Sequence, residues 1–238
     1  MNNVSIAVQP IFNVESGEVM YLEVLARDND NENTAKGVIE HVRRKNGYIS
    51  LDFQMIKRAL KVAKETKRKY LICVNIFGET LDNYGVCNLL MDTLSDEEKA
   101  YIDNVIIEIN EESNTDSDIV TENIEFLHSN GFKIALDDFG VGRMCLDKLM
   151  KLNYIYMIKV DRAFVKDKYS NQDVKDMVIK MLISVSKKFG IVLVVEGVED
   201  TKQYASIKTS GCDCVQGYLL EKPMKFTMFM DKYFDEST

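Results

Sequence analysis

Short apolar runs that each stop on one polar side chain recur along the chain: Leu71-Ile-Cys-Val-Asn75, Val105-Ile-Ile-Glu108, Tyr156-Met-Ile-Lys159 and Ile191-Val-Leu-Val-Val-Glu196. A further run, Lys133-Ile-Ala-Leu-Asp137-Asp138-Phe139-Gly140, follows the turn signal Asn130-Gly131 and closes on two adjacent carboxylates. Runs of this length bounded by turn residues read as strands buried on both faces. Two acids side by side at a strand end cannot both enter the core, because an unpaired buried charge is too costly. Their counter-charge has to come from other strand ends, and strands alternating with helices put those ends on one rim.

The rest of the chain fits that alternation. Residues 5–11 predict a first strand through Gln9-Pro10, Glu15-Ser-Gly17-Glu18 a turn, and 19–26 a second strand that carries Glu23, with Arg27 four residues on. A polar loop over 28–36 precedes helical spacing over 38–45 and 51–67. Strands follow over 70–77 and 104–109, separated by a partly helical stretch, 88–99. Ser117 or Asp118 is placed to cap a helix that runs to Ser129 and stops at Asn130-Gly131. A short helix is expected over 146–152, and an amphipathic one over 174–189 that ends at Gly190. Asp200 caps the next helix, and 212–218 supplies the last strand with Gln216 near its end. About eight strand-like segments with helices between most of them favour a (β/α)8 barrel over an open doubly wound sheet. The GxGxxG fingerprint of the open-sheet alternative is absent after the first strand.

Composition narrows the class. At 238 residues and 46% hydrophobic the chain suits a single barrel-sized domain, 1–238, with a large core. Two prolines and twelve glycines argue against disorder. A formal net charge of −8 disfavours non-specific binding to DNA, RNA or an anionic membrane, although cations can still bridge a phosphate-bearing ligand. Five cysteines, most of them in or beside apolar runs, read as reduced thiols, and Cys212-x-Cys214 lacks the second pair or histidine of a zinc site. The first residues lack the basic and apolar segments of a signal peptide, and no apolar run approaches a bilayer span. A cytoplasmic protein is expected.

On one rim, Glu23, Asn75, Glu108, Asp137, Asp138 and Glu196 would converge with Lys159 and Gln216. Five carboxylates against one ammonium leave an excess of negative charge that two divalent cations would neutralise. The candidate donors are all oxygens, so hard Mg²⁺ or Mn²⁺ is preferred over Zn²⁺, with Asp137 able to bridge the ions. A two-ion site suits phosphoester hydrolysis. Lys159 would orient the attacking water or offset charge that develops at phosphorus. Gln216 and Asn75 position groups without titrating. Any one of these residues alone reads more readily as a solvated acid, a salt-bridge partner or a cap; their recurrence on successive strands carries the argument. His41 and His128 fall on helices, so no histidine base is proposed.

The motif order resembles that of the EAL-domain family, bacterial phosphodiesterases that hydrolyse cyclic di-GMP. The segment Glu23-Val24-Leu25 stands at EAL with Arg27 at its arginine. Val74-Asn75 is similar to SVN, and Glu108-Ile-Asn-Glu111 to EITE. Asp137-Asp138-Phe139-Gly140 is similar to DDFG, Lys159-Val160-Asp161 to KID, Glu196-Gly197-Val198-Glu199 to EGVE, and Gly211-Cys212-Asp213 with Gln216-Gly217-Tyr218 to GCD and QGY. The resemblance implies a modified barrel with one antiparallel strand, two Mg²⁺ or Mn²⁺ ions and cleavage to linear pGpG. It implies metal ligation by Glu23, Asn75, Glu108, Asp137, Asp138 and Glu196. Lys159 and Gln216 would handle the catalytic water, and Glu111 would hold the loop after Asp138. Gln9, Arg27 and Asp161 would sit near the nucleotide, and a homodimer would form through the loop after Asp138.

The chain departs from the family pattern. Val24 replaces the alanine of EAL, Val141 replaces a threonine, and Arg143-Met144-Cys145 replaces a Tyr-Ser-Ser segment, which removes hydroxyls able to fix that loop. Two alternatives stay open, the first of them motivated by the altered loop. One is a non-enzymatic regulator that binds cyclic di-GMP or a protein partner; the other is an unrelated barrel lyase in which Lys159 forms a Schiff base.

Overall fold

A computed structural model of the chain describes residues 4–28, 35–45, 47–110, 117–140, 149, 151–165 and 172–234. Strands β1 (Val4–Asn13), β2 (Val19–Asp28), β3 (Leu71–Ile76), β4 (Val105–Ile109), β5 (Lys133–Phe139), β6 (Ile155–Val160), β7 (Val192–Val195) and β8 (Cys214–Val215) close into a barrel. From β2 round to β8 every neighbouring pair is parallel, and β1 is antiparallel to both β2 and β8. A ninth strand, β9 (Met224–Lys225), pairs antiparallel with Ala7 and Val8 of β1 outside the ring. The expected barrel with one antiparallel strand is the one observed.

Side-chain alternation along each strand divides the core in two. Inside the ring, one residue from every strand packs into a single buried layer: Ile11, Tyr21, Cys73, Ile106, Ala135, Met157, Val194 and Cys214. The residues between them, such as Leu22, Val24, Ile72, Val74, Ile107 and Ile158, point outward into the larger core beneath the helices. Val24, the alanine replacement, belongs to this outer set and is 1% exposed. The layer plugs the barrel below its mouth, so chemistry can occur only above it.

Helix signals held where a mechanism supported them. Asp200 caps the helix Thr201–Ser210 in a capping box with Gln203, and Gly190 ends the helix Gln172–Phe189 with φ 68°. Ser117 sits at the N-cap of the helix Asp118–Ser129, but its hydroxyl donates to Asp82 Oδ1 at 3.0 Å instead of capping. The stretch expected as partly helical resolves into Val86–Thr93 and Asp96–Lys99, the second started by a capping box between Ser95 and Glu98. Of the expected 146–152 helix, residues 149 and 151 are helical and 146–148 and 150 lie outside the described residues.

The end of the chain differs most from the reading. The last strand pairs only over Cys214–Val215, because at Gly217 the backbone turns onto the end of the β7 segment. A Cβ at Gly217 would lie 2.1 Å from Val198 O and 2.4 Å from Val198 N, so only glycine allows the approach. Leu219 N then donates to Val198 O at 3.0 Å. β9 and the helix Phe226–Tyr233 that follows were not foreseen from the sequence. Phe229 of that helix is fully buried, stacking on Tyr233 and meeting Tyr70 edge-on.

Candidate active site

Two residues toward the mouth from the plugging layer, the next inward position on each strand carries a polar side chain: Gln9, Glu23, Asn75, Glu108, Asp137, Lys159, Glu196 and Gln216. Period-two alternation alone therefore gathers all eight on one face. β1 enters the ring reversed, which is why its member precedes Ile11 in sequence rather than following it. The last two extend the sheet past its assigned strands through Glu196 N to Val160 O at 3.0 Å and Gln216 N to Val195 O at 2.9 Å.

Asp138 needs a separate device, since alternation would turn it away from its neighbour. Between β5 and β6 the register advances three residues on β5, Leu136 to Phe139, against two on β6, Ile158 to Val160. The extra residue is a bulge, and Asp138 takes φ 54° within it. Aspartate tolerates this left-handed conformation better than most residues, at a cost of about 1–3 kcal/mol. As a result Asp137 and Asp138 face the same cleft. Asp137, Asp138 and Glu196 can each offer one oxygen such that the three lie within 4.8 Å of one another.

Lys159 forms the floor. Its ammonium is 1% exposed and lies 2.8 Å from Glu196 Oε1, 2.9 Å from Glu108 Oε1, 3.4 Å from Glu23 Oε2 and 3.5 Å from Asp137 Oδ1. Asn75 Nδ2 donates to Glu23 Oε1 at 3.2 Å and to Glu108 Oε2 at 3.0 Å, and Gln216 Nε2 donates to Glu23 Oε2 at 2.8 Å. The neutral amides thus join acids on different strands without adding charge.

Burial governs the electrostatics. It pushes the Glu108 and Asp137 carboxyls above the usual carboxylate range, with Lys159 opposing and Glu23 reinforcing the shift. Burial likewise raises Glu196 to about 8 against the pull of Lys159. Asp138 rises to about 6 through burial and the nearby charges of Asp137 and Asp161. For Lys159, burial works against the charged form, but Asp137, Glu108, Glu196 and Glu23 outweigh it and hold the ammonium well above its ordinary value. A Schiff base needs a neutral amine, so this environment argues against the lyase alternative.

The donor set fits a hard divalent cation. It is built of oxygen atoms, and two buried ones, Glu108 Oε1 and Asp137 Oδ1, face the Lys159 ammonium and share it with Glu23 and Glu196. One ammonium shared among four acids leaves negative charge that a further cation would offset.

Above the floor opens a cleft of about 340 Å³ whose walls include Gln9, Asp161, Arg162, Glu199 and Tyr218. Gln9 is pinned there by its amide, which donates to Glu221 O at 3.1 Å. Asp161 Oδ1 accepts from Ala163 N at 2.7 Å and caps the turn Arg162–Phe164. Arg27 lines another pocket, with Ser5, Ile6 and Ala7 of β1 and residues around β9, while its guanidinium lies within electrostatic reach of Glu23 and Tyr218 and donates to Ala26 O at 2.9 Å. Glu111 and Val141 to Cys145, with the expected dimer loop, lie outside the described residues. His128 is exposed and stacks on Tyr154, away from the cleft.

Arg162, Glu199 and Tyr218 were not singled out from the sequence. They stand beyond the strand ends, where alternation no longer says which way a side chain points, though Glu199 and Tyr218 close the EGVE-like and QGY-like segments.

Residues 1–223 match the model of the EAL domain. The chain belongs to the EAL domain family. The cyclic di-GMP phosphodiesterase RocR of Pseudomonas aeruginosa is 39% identical over 110 residues, 46% of this chain and 28% of RocR. The probable cyclic di-GMP phosphodiesterase PdeG of Escherichia coli K12 is 27% identical over 234 residues, 92% of this chain and 44% of PdeG. The chain thus spans less than half the length of these curated relatives. The structure of a standalone EAL protein from Vibrio cholerae O395, in its c-di-GMP bound form, aligns with a TM-score of 0.78 at 25% identity, covering 94% of each chain. Among the described residues of this EAL domain, no helix is long and apolar enough to cross a membrane.

Proposed function

We propose that this EAL domain hydrolyses cyclic di-GMP to linear pGpG with two divalent cations, Mg²⁺ or Mn²⁺, held by Glu23, Asn75, Glu108, Asp137, Asp138 and Glu196. The observation that carries the reading is the convergence of Asp137, Asp138 and Glu196 above a buried Lys159. When bound, such ions supply Lewis-acid polarisation of the phosphoryl oxygens and a more acidic water. The phosphodiesterase relatives support the substrate. The same reading takes 1–238 as one domain.

In this reading Lys159 and Gln216 orient the attacking water. Its oxygen bonds to phosphorus, the bond from phosphorus to the 3′ oxygen breaks, and a proton ends on the departing 3′ hydroxyl. Lys159, held as a cation by its four acids, offsets charge that grows on the phosphoryl oxygens. Glu23, joined to Asn75, Gln216 and Lys159, fixes the relative positions of four strands, β2, β3, β6 and β8. Gln9, Arg162, Asp161 and Tyr218 line the space in which the nucleotide would lie, with Arg27 beside it.

Chromatography of cyclic di-GMP incubated with the protein and Mg²⁺ or Mn²⁺ tests the product. The reading expects pGpG. Tight nucleotide binding without any product would favour the regulator alternative.

A further inference from the structure

Asp52 is a buried carboxylate that the chemistry above does not use. It sits on the inner face of the helix Tyr48–Glu65, is 2% exposed, and has no ion-pair partner among the described residues. Its Oδ2 accepts from the backbone N–H of Phe77 at 3.0 Å. Phe77 is the first residue past β3 and the N-cap of the short helix Gly78–Leu81, two positions after Asn75. One helical turn before Asp52, the Tyr48 ring meets the Phe77 ring edge-on, with centroids 5.1 Å apart. Residues four apart share a helix face, so one helix holds this turn twice, by its backbone and by its side chain.

That grip bears on the acidic ring. The Asn75 amide must reach Glu23 on β2 and Glu108 on β4 at once. Its direction is set by where β3 ends, because Asn75 is the last inward residue before the chain turns at Phe77. Asp52, Asn75 and Phe77 also border one half-open pocket of about 270 Å³ with a mostly apolar lining. Burying a carboxylate there is costly unless it does something that packing cannot. We infer that Asp52 is a positioning residue for the ion site: by holding the Phe77 N–H it fixes the end of β3 and thereby the orientation of Asn75. The inference rests on the reading of Asn75 as part of that site.

Calorimetric titration of Mn²⁺ into the wild-type protein, Asp52→Leu, Asp52→Asn, Asn75→Ala and the double variant Asp52→Leu/Asn75→Ala tests it. Asp52→Leu should weaken Mn²⁺ binding about tenfold or more. Asp52→Asn, whose amide oxygen still accepts from Phe77, should stay within about twofold of wild type. In the Asn75→Ala background Asp52→Leu should cost nothing further in Mn²⁺ affinity while still lowering the melting temperature, a non-additivity that a purely structural residue would not show. If Asp52→Leu does not fold, Tyr48→Leu removes the other grip and should show the same dependence on Asn75. An Asp52→Leu protein with wild-type affinity, or with an equal loss in both backgrounds, overturns the inference alone. Unchanged Mn²⁺ binding in Asn75→Ala would instead remove Asn75 from the site, and the ligand set with it.

Discussion

Lys159 Nζ and Glu108 Oε1 lie 2.9 Å apart at the floor of the barrel mouth, both side chains sealed from solvent. Removing one member of such a pair leaves an uncompensated charge in the interior, which typically costs about 3–5 kcal/mol. Lys159→Met should therefore destabilise the protein by about that much in urea unfolding with a chelator present. A loss below about 1 kcal/mol would mean that the acids shed their charge without the lysine.

Divalent cations should stabilise the fold through the oxygens of Asp137, Asp138 and Glu196. A ligand at a hundred times its dissociation constant adds about 2.7 kcal/mol, readable as a rise in melting temperature with Mn²⁺ that EDTA reverses. Asp138→Asn keeps the shape of the bulge but removes a charged donor, so it should need a higher Mn²⁺ concentration for the same rise. Unchanged Mn²⁺ dependence would separate Asp138 from the ion site.

Stability should fall as pH rises. Burial pushes Asp52 up to about 7, with the Thr80 side chain and the Phe77 N–H drawing it back and Glu79 adding to the rise. An unfolded aspartate titrates near 3.9. The folded protein therefore keeps a proton that the unfolded chain releases between about pH 4 and pH 7. The stability from this group is full below that window and is lost as pH passes through it. Glu196 at about 8 and Asp138 at about 6 act with the same sign. Urea unfolding with a chelator should show a protein more stable at pH 5 than at pH 8.5, and Asp52→Asn should shrink that difference by at most about 3 kcal/mol.

Gly217→Ala should damage the site without touching an acid. The added methyl would meet the Val198 backbone, which cannot swing aside as a flexible side chain can. Overpacking of this kind costs about 1–3 kcal/mol. It would also pull Gln216 from Glu23, because Val198 N donates to Gln216 O at 3.2 Å in the same contact. The variant should melt lower and lose turnover, and retention of both would show that the turn relaxes freely.

Most of the acidic ring was legible in the sequence because two local signals coincide on β3 to β7: an apolar run that fixes the strand, and a polar residue where the run stops; Gln9 and Glu23 lie within their strands and carry no such stop. Period two then fixes the face. Asp138 shows where that reasoning ends, since its orientation depends on a bulge visible only in the pairing of β5 with β6. β9 and the helix Phe226–Tyr233 were missed for a related reason. Two paired residues on the outside of β1 carry no periodicity, and Phe229 packs against the ring of Tyr70, distant in sequence. The role inferred for Asp52 was equally hidden, since an aspartate near the start of an amphipathic helix reads as solvated until the fold places Phe77 against it.

The most direct measurement of the central claim is cyclic di-GMP turnover by the purified protein across a Mg²⁺ and Mn²⁺ titration, with Glu23→Ala and Glu108→Ala in parallel. The account predicts metal-dependent conversion to pGpG by the wild type and loss of at least about a hundredfold in either variant, as removal of a group that stabilises developing charge typically produces. Intact cyclic di-GMP at every metal concentration, or full turnover by Glu23→Ala, would contradict it.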